Sequence, residues 1–468
     1  MTIETELGAL LRTNAWCGDA EAVGTYSREA MAWALRGAIV RARELAPEAA
    51  SAPALDLADW RSDRVGWGVV LPDRDGLSDA DKAAAVDAPA AIRRLIAARG
   101  NAPVFRYKKE HARDGFLLRH FAHRAPARLR ASGQRGVRGD AAVPRYLLIV
   151  GSPGEIPWSF QYRLQTDAFV GRLDLDEEGL ERYVDALSSG WHGSRRSADK
   201  PLLWSVDHGH PDITYLMRKT IAEKLQEAFV QSGFDAQLLT DAQATHAQLN
   251  AALAERQPAF VLSTSHGATF PLDDAAKLRA QLGLLVDRDH ALLDIDALLQ
   301  QWQPAGAIWY AHACCSAGAD KPSTFQKLVD ASSSLGRMLG AVAQIGPCTA
   351  ALPRALLGAA QPLAAFIGHV EPTFDWTLRD PDNGQRMTDA LIIDTLFTSL
   401  HAARRTPVGM AMDGYYDAVA GLLLDHIDAV EAFNNHEAGA EVRAMKAKLM
   451  AMDRLGMVIL GDPTVAMP

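Results

Sequence analysis

Ala307-Ile-Trp-Tyr-Ala-His-Ala-Cys-Cys-Ser-Ala-Gly318 is the stretch on which the fold of this chain turns. An apolar run of strand length stops at two adjacent thiols. Small residues and a glycine follow, as expected of a buried strand leaving into a tight turn. Open α/β sheets carry their functional groups outside the carboxyl ends of the strands, so this run sets a thiol where chemistry is expected. Upstream, Ala259-Phe-Val-Leu-Ser-Thr-Ser265 ends in the same manner with His266-Gly267. Two strand ends therefore offer a nucleophile and an acid/base.

Strand-like and helical patterns alternate on both sides of these runs, from Val143 onward. Arg145–Gly151, Pro201–Asp207 and Phe234–Thr240 read as strands, and Asp207, His208, His210 and Asp212 crowd the turn after the second. Leu216, Met217, Ile221, Leu225 and Phe229 recur at helical spacing between Asp212 and Gln231, and Thr245 is placed to cap the next helix. Further on, Ala341–Pro347, Ala364–Val370 and Met457–Asp462 read as strands, and Leu292–Trp302, Met387–Leu400 and Asp413–Phe433 as helices. Repeated strand–helix–strand units of this length predict an α/β fold built on a mainly parallel sheet with right-handed crossovers.

The first 140 residues have a different texture and predict a smaller N-terminal α+β region (1–140) ahead of the main domain (141–468). Ser27–Glu44 and Asp79–Arg99 are helix-like, and Val65–Asp73 reads as a strand. Between Arg106 and Arg138, ten Lys/Arg face two acids, the composition of a solvated loop or hairpin, or of a regulatory or cleavable segment.

Whole-chain properties narrow the class. A chain of 468 residues, 48% hydrophobic and 22% charged, has ample material for a large core. The net charge of −9 argues against a dedicated nucleic-acid binder. The four cysteines, Cys17, Cys314, Cys315 and Cys348, form neither a disulfide framework nor a zinc-site spacing, and point to a reducing compartment. The acidic start, Met1-Thr-Ile-Glu-Thr-Glu, does not resemble a secretory signal, and no apolar run reaches membrane-spanning length. The expectation is a cytoplasmic protein with no membrane partner, no metal and no cofactor.

A thiol attacks a carbonyl as its thiolate, which calls for an exposed, polarised cysteine with an imidazole nearby, although strands also bury cysteines simply as small hydrophobes. A strand ending in His-Gly, followed by a strand ending in Ala-Cys, is the chain order of caspases. Ser265-His266-Gly267 and Ala313-Cys314 resemble the motifs of the wider clan of caspase-fold cysteine peptidases, which includes caspases, gingipains, legumains and CHAT-domain proteases. Tyr146-Leu-Leu-Ile-Val-Gly-Ser-Pro-Gly-Glu-Ile-Pro157, Val170-Gly-Arg172 and Ile459-Leu-Gly-Asp-Pro463 are similar to runs of the bacterial gingipain-like and CHAT-like branch.

The resemblance implies a caspase-like three-layer α/β/α sandwich and a cysteine endopeptidase acting on a protein substrate, with a protein activator as a candidate partner. It also implies Cys314 as nucleophile, His266 as proton carrier, and the Gly267 backbone in the oxyanion site. Asp167 lies in a place similar to the acidic pocket residue of arginine-specific gingipains, and Glu155 in a neighbouring acidic position, so both are expected in substrate binding, with cleavage after basic residues, arginine preferred. Self-cleavage would then fall within Arg124–Arg138. The doublet departs from the clan: the Ala-Cys junction favours Cys314, whereas the distance to Gly318 favours Cys315. The alternative from another class is a catalytically inactive scaffold that binds a protein partner.

Overall fold

The structure, a computed structural model, describes residues 7–37, 55–112, 115–379, 390–401 and 405–468. Its strands in chain order are β1 (Leu11–Trp16), β2 (Glu21–Gly24), β3 (Trp67–Pro72), β4 (Val104–Tyr107), β5 (Phe116–Arg119) and β6 (Ala127–Arg130). Next come β7 (Tyr146–Val150), β8 (Phe169–Leu173), β9 (Leu202–Ser205), β10 (Gln237–Leu239), β11 (Phe260–Thr264) and β12 (Gly267–Ala268). The last are β13 (Ile308–His312), β14 (Gly318–Ala319), β15 (Cys348–Thr349), β16 (Ala365–His369) and β17 (Met457–Gly461).

Twelve of these form one sheet in the order β10-β9-β11-β13-β16-β17-β8-β7-β3-β4-β5-β6. The division at residue 140 falls inside this sheet, because β3 pairs in parallel with β7. Strands β10, β9, β11, β13 and β16 are mutually parallel, as are β17, β8, β7, β3 and β4. The two blocks meet at the antiparallel pair β16–β17, where His369 lies opposite Met457. They therefore point in opposite directions. The edge that collects the carboxyl ends of β11, β13 and β16 also collects the amino ends of β17, β8 and β7.

The apolar runs explain the layers. In β7 every residue is buried, and successive side chains leave on opposite faces. Tyr146, Leu148 and Val150 join one core with Ile92, Leu95, Leu180 and Val184, from helices Ala90–Ala98 and Glu177–Ser189. Leu147 and Ile149 join another with Phe160 and Leu164, from helix Trp158–Gln165. A strand flanked in this way is the middle of three layers, as an apolar strand without alternation requires. Each fully buried aliphatic side chain contributes roughly 1.5–3 kcal/mol of transfer free energy.

The seam depends on glycine and on one aspartate. A Cβ at Gly171 would lie 2.1 Å from the Gly461 carbonyl oxygen, and Gly461 itself has φ +117°. Beyond it, Asp462 accepts from Trp67 Nε1 at 3.1 Å and Arg99 Nη1 at 3.1 Å, with the Arg99 guanidinium 4.3 Å from both the Trp60 and Trp67 rings. The Val170-Gly-Arg172 and Gly461-Asp462 motifs thus have a packing reason that holds whatever the activity.

Several local readings change. Ala341–Pro347, expected as a strand, starts inside a helix, Ser334–Gln344, whose buried Leu335, Met338, Leu339 and Val342 keep helical spacing behind the Ser333 cap. Asp79–Arg99 is two helices, Asp79–Ala83 and Ala90–Ala98, separated by Ala85 at φ 53° and the Pro89 cap. The helix expected over Ser27–Glu44 spans Ala30–Leu35, and its part beyond residue 37 lies outside the described residues. The basic segment 106–138 contains the β5–β6 hairpin at the sheet margin. Residues 387–389 of the expected Met387–Leu400 helix are likewise outside the described residues.

Candidate active site

β11 and β13 are parallel neighbours with Thr264 opposite His312, so the chains emerging two residues later, at His266 and Cys314, leave side by side. Gly267 makes the close approach feasible, because a Cβ there would lie 1.9 Å from the Cys314 carbonyl oxygen. Gly283 is equally confined on the other side, its Cβ position 2.1 Å from the Cys315 carbonyl oxygen. The two motif loops are thus in backbone contact.

His266 is oriented by Asp212, from the polar turn that follows β9. Its Nε2 lies 2.8 Å from Asp212 Oδ2. Asp212 caps the helix Ile213–Met217 and also accepts from the Thr214 N–H at 2.7 Å. Burial pushes the Asp212 carboxyl up, but the His266 contact and the Thr214 bonds outweigh it and hold the group down at about 2. An ionised carboxylate only accepts, so Nε2 carries the proton and Nδ1 is the basic nitrogen. That Nδ1 is buried with no hydrogen-bond partner among the described residues. The signal that would have found Asp212 is strand adjacency: β9, which precedes its turn, pairs with β11.

Aromatic rings stack beside the imidazole. His208 lies 5.5 Å from His266, His290 4.3 Å from His208, and Trp16 4.3 Å from His290. Burial first, and then the neighbouring imidazoles, pull His208 down to about 4, so His208 is neutral at ordinary pH.

Cys314 Sγ accepts from the Thr373 N–H at 3.1 Å and faces the Thr373 carbonyl at 3.5 Å. Burial raises its pKa well above the usual thiol range, against the Thr373 N–H, so the group is a neutral thiol in this state. Cys315 takes a left-handed backbone, φ 55°, and its N–H donates to the Glu371 carbonyl at 2.9 Å. Its backbone thus faces Glu371 and Gly283, whereas that of Cys314 faces Gly267.

The two acidic candidates part company. Glu155 follows the carboxyl end of β7, which the opposed direction of that block places at the far edge of the sheet from Cys314. There it accepts from the Ser152 N–H at 3.1 Å and pairs with Arg74 at 3.0 Å. Asp167 precedes β8 and stands at the same edge as Cys314, with β16 and β17 between their strands. Its carbonyl accepts from the Arg135 guanidinium.

His312 sits under the site, Nδ1 3.0 Å from the Tyr310 hydroxyl and its ring 4.8 Å from that of His369, and burial pulls it down to about 3. Glu371 accepts from the Thr324 N–H at 3.0 Å, while Asp375 pairs with Arg379 at 2.8 Å. Among the described residues no group of three or more His, Cys, Asp or Glu side chains is placed to hold a metal ion, and no helix is long and apolar enough to cross a membrane.

No family model matches the chain, and no curated protein matches it. Among solved structures it is similar to the Arg-specific cysteine proteinase gingipain R, at 13% identity and a TM-score of 0.41, over 87% of this chain and 79% of that one. It is also similar to the complex of Porphyromonas gingivalis RgpB pro- and mature domains, at 13% identity and a TM-score of 0.38. That match covers 69% of this chain and 65% of the other.

Proposed function

We propose that this protein is a cysteine peptidase in which Cys314 is the nucleophile and His266 the proton carrier, positioned by Asp212. The observation that supports this reading most is the juxtaposition of the two motif loops at adjacent strand ends, with Gly267 against the Cys314 backbone and a carboxylate on the remote nitrogen of His266. In the reaction, the Cys314 proton passes to His266 Nδ1 and Sγ bonds to the scissile carbonyl carbon. The oxyanion develops toward the backbone N–H groups beside Gly267, a contribution of about 3 kcal/mol in comparable sites. His266 then protonates the leaving amine as the C–N bond breaks. Water, deprotonated by the same imidazole, hydrolyses the thioester and regenerates the thiol. The chemistry requires no metal or cofactor.

The finer reading is cleavage after basic residues. A buried guanidinium must be paired, and arginine fits a carboxylate bidentately where lysine does not. Asp167 supplies a carboxylate at the edge that carries Cys314, and a guanidinium from the 124–138 segment already reaches its carbonyl. Peptide libraries test both levels. Hydrolysis that is lost in Cys314→Ala supports the peptidase, and preference for arginine that is lost in Asp167→Ala supports the pocket. Cleavage only after acidic or large apolar residues would remove the pocket and leave the peptidase. A wild type that is nicked between Arg124 and Arg138 while Cys314→Ala stays whole would place self-cleavage there.

A further inference from the structure

His266 and Cys314 are both fully buried, each 0% exposed, and what covers them is the chain's own N-terminal strand. β1 pairs in parallel with β12, Ala15 opposite Gly267 and Trp16 opposite Ala268. On its other side Thr13 bridges antiparallel to Phe374, and the Asn14 N–H donates to the Thr373 carbonyl at 3.3 Å. Thr373 is the residue whose N–H holds Cys314 Sγ, and the Asn14 N–H also faces that thiol. Thr13, Asn14 and Ala15 are each 0% exposed. β1 thus threads between the His266 loop and the Thr373 loop, across both reacting groups.

The seat of Asn14 has a definite chemistry. Its Nδ2 donates to the carbonyls of His312 at 3.2 Å and Ser265 at 3.4 Å, and lies 3.5 Å from the Met217 sulfur. All three groups accept, so the seat favours a donor side chain and repels a carboxylate. The anchor of the strand lies outside the site: Ser334 Oγ accepts from the Val23 N–H at 3.0 Å and donates to the Val23 carbonyl at 2.8 Å, tying β2 to the helix Ser334–Gln344.

An extended segment with main-chain hydrogen bonds to both walls of a cleft and one side chain in a pocket is the way peptides are bound by strand addition. We propose that Leu11–Trp16 is an internal occupant of the peptide cleft, and that an extended peptide engages His266 and Cys314 only by displacing it. The inference rests on the peptidase reading for the nature of the displacing peptide, and on the geometry alone for the cover.

The experiment is alkylation of Cys314 by iodoacetamide in the folded, full-length protein, mapped by mass spectrometry in a Cys315→Ser background so that the site of the adduct is unambiguous. Asn14→Asp sets a carboxylate against two carbonyl oxygens without touching either reacting residue, and is expected to speed alkylation by ~10-fold or more, since exposure follows the open population. Ser334→Ala loosens the anchor from outside the cleft and is expected to speed it about 3-fold. It decides the matter if the first variant does not fold. The synthetic peptide Leu-Leu-Arg-Thr-Asn-Ala-Trp, residues 10–16, is expected to restore protection to a loosened variant, and the same peptide with Asp in place of Asn is not. Equal alkylation rates in the parent and the folded variants, or no protection by the peptide, would overturn the proposal. Faster alkylation without any peptide hydrolysis would keep the cover and sink the peptidase reading.

Discussion

The two blocks of the central sheet end their strands in opposite ways. Beyond β7, β3 and β4 the carboxyl ends are filled by charges that satisfy one another: Arg106 with Asp87 at 2.7 Å, Arg74 with Glu155 at 3.0 Å, and Lys82 with Asp73. Beyond β11 and β13 the His266 and Cys314 loops meet at the backbone, and of the two imidazole nitrogens only Nε2 is paired. A strand end is therefore an opportunity that the neighbouring charges either close or leave open. Glu155 shows the closed case and His266 the open one.

The sharpest break of this contrast is Cys314→Ala, which is expected to reduce peptide hydrolysis by ~10⁴-fold or more, to background, while Cys315→Ala retains turnover. The reverse result, in a cleavage assay on the same peptide, moves the nucleophile by one residue. Asp212→Asn should come next, lowering kcat about 10²–10⁴-fold by releasing the imidazole from its tautomer. Its carboxyl is held down at about 2 in the fold, below its unfolded value, so its stabilisation is complete above about pH 4 and lost as pH falls toward 2. Acid-denaturation curves of wild type and Asp212→Asn should accordingly converge over that range.

Asp453 tests the opposite sign at the same edge. It accepts from the Phe374 and Thr377 N–H groups at 3.0 Å each, and burial raises it to about 7 despite those bonds. A raised carboxyl binds its proton in the folded state, so its contribution is full below about pH 4 and lost as pH climbs through 7, at roughly 1.4 kcal/mol per pH unit within that window. Melting of Asp453→Asn should gain on wild type between pH 5 and 7. A constant offset would contradict the assignment. The smallest effect belongs to the closed edge: Glu155→Gln should change stability by less than about 1 kcal/mol and leave kcat/KM unaltered, as for a half-exposed pair. A large loss of kcat/KM would return Glu155 to the site.

What was legible in the sequence follows from range. The apolar runs of β7, β11, β13, β16 and β17 announce themselves because strands buried on both faces need bulk at every position. His266-Gly267 and Ala313-Cys314 are visible because they terminate such runs. Strand direction is not a local property: nothing in Met457–Gly461 says that it runs against β16, and that single fact decides that Asp167, and not Glu155, shares the edge of Cys314. Asp212 was hidden because its partner is 54 positions away in the chain. Leu11–Trp16 gave no signal at all, since Arg12, Thr13 and Asn14 interrupt it and leave no apolar run to mark a strand.

The position of β17 has a consequence for how the protein is made. This strand joins the two blocks, yet every other strand of both precedes it in the chain. Chains emerge from the ribosome in order, at ~5–20 residues per second. Until β17 emerges the two blocks lack the strand that pairs with both, and the Phe374 N–H beside Thr373 lacks its acceptor Asp453. β1, by contrast, precedes every other strand among the described residues. Its partners follow roughly 250 residues later, tens of seconds at those rates. Chain order thus makes β1 before Gly267 and Thr373, the two walls it bridges, and makes last the segment that supports the second of them.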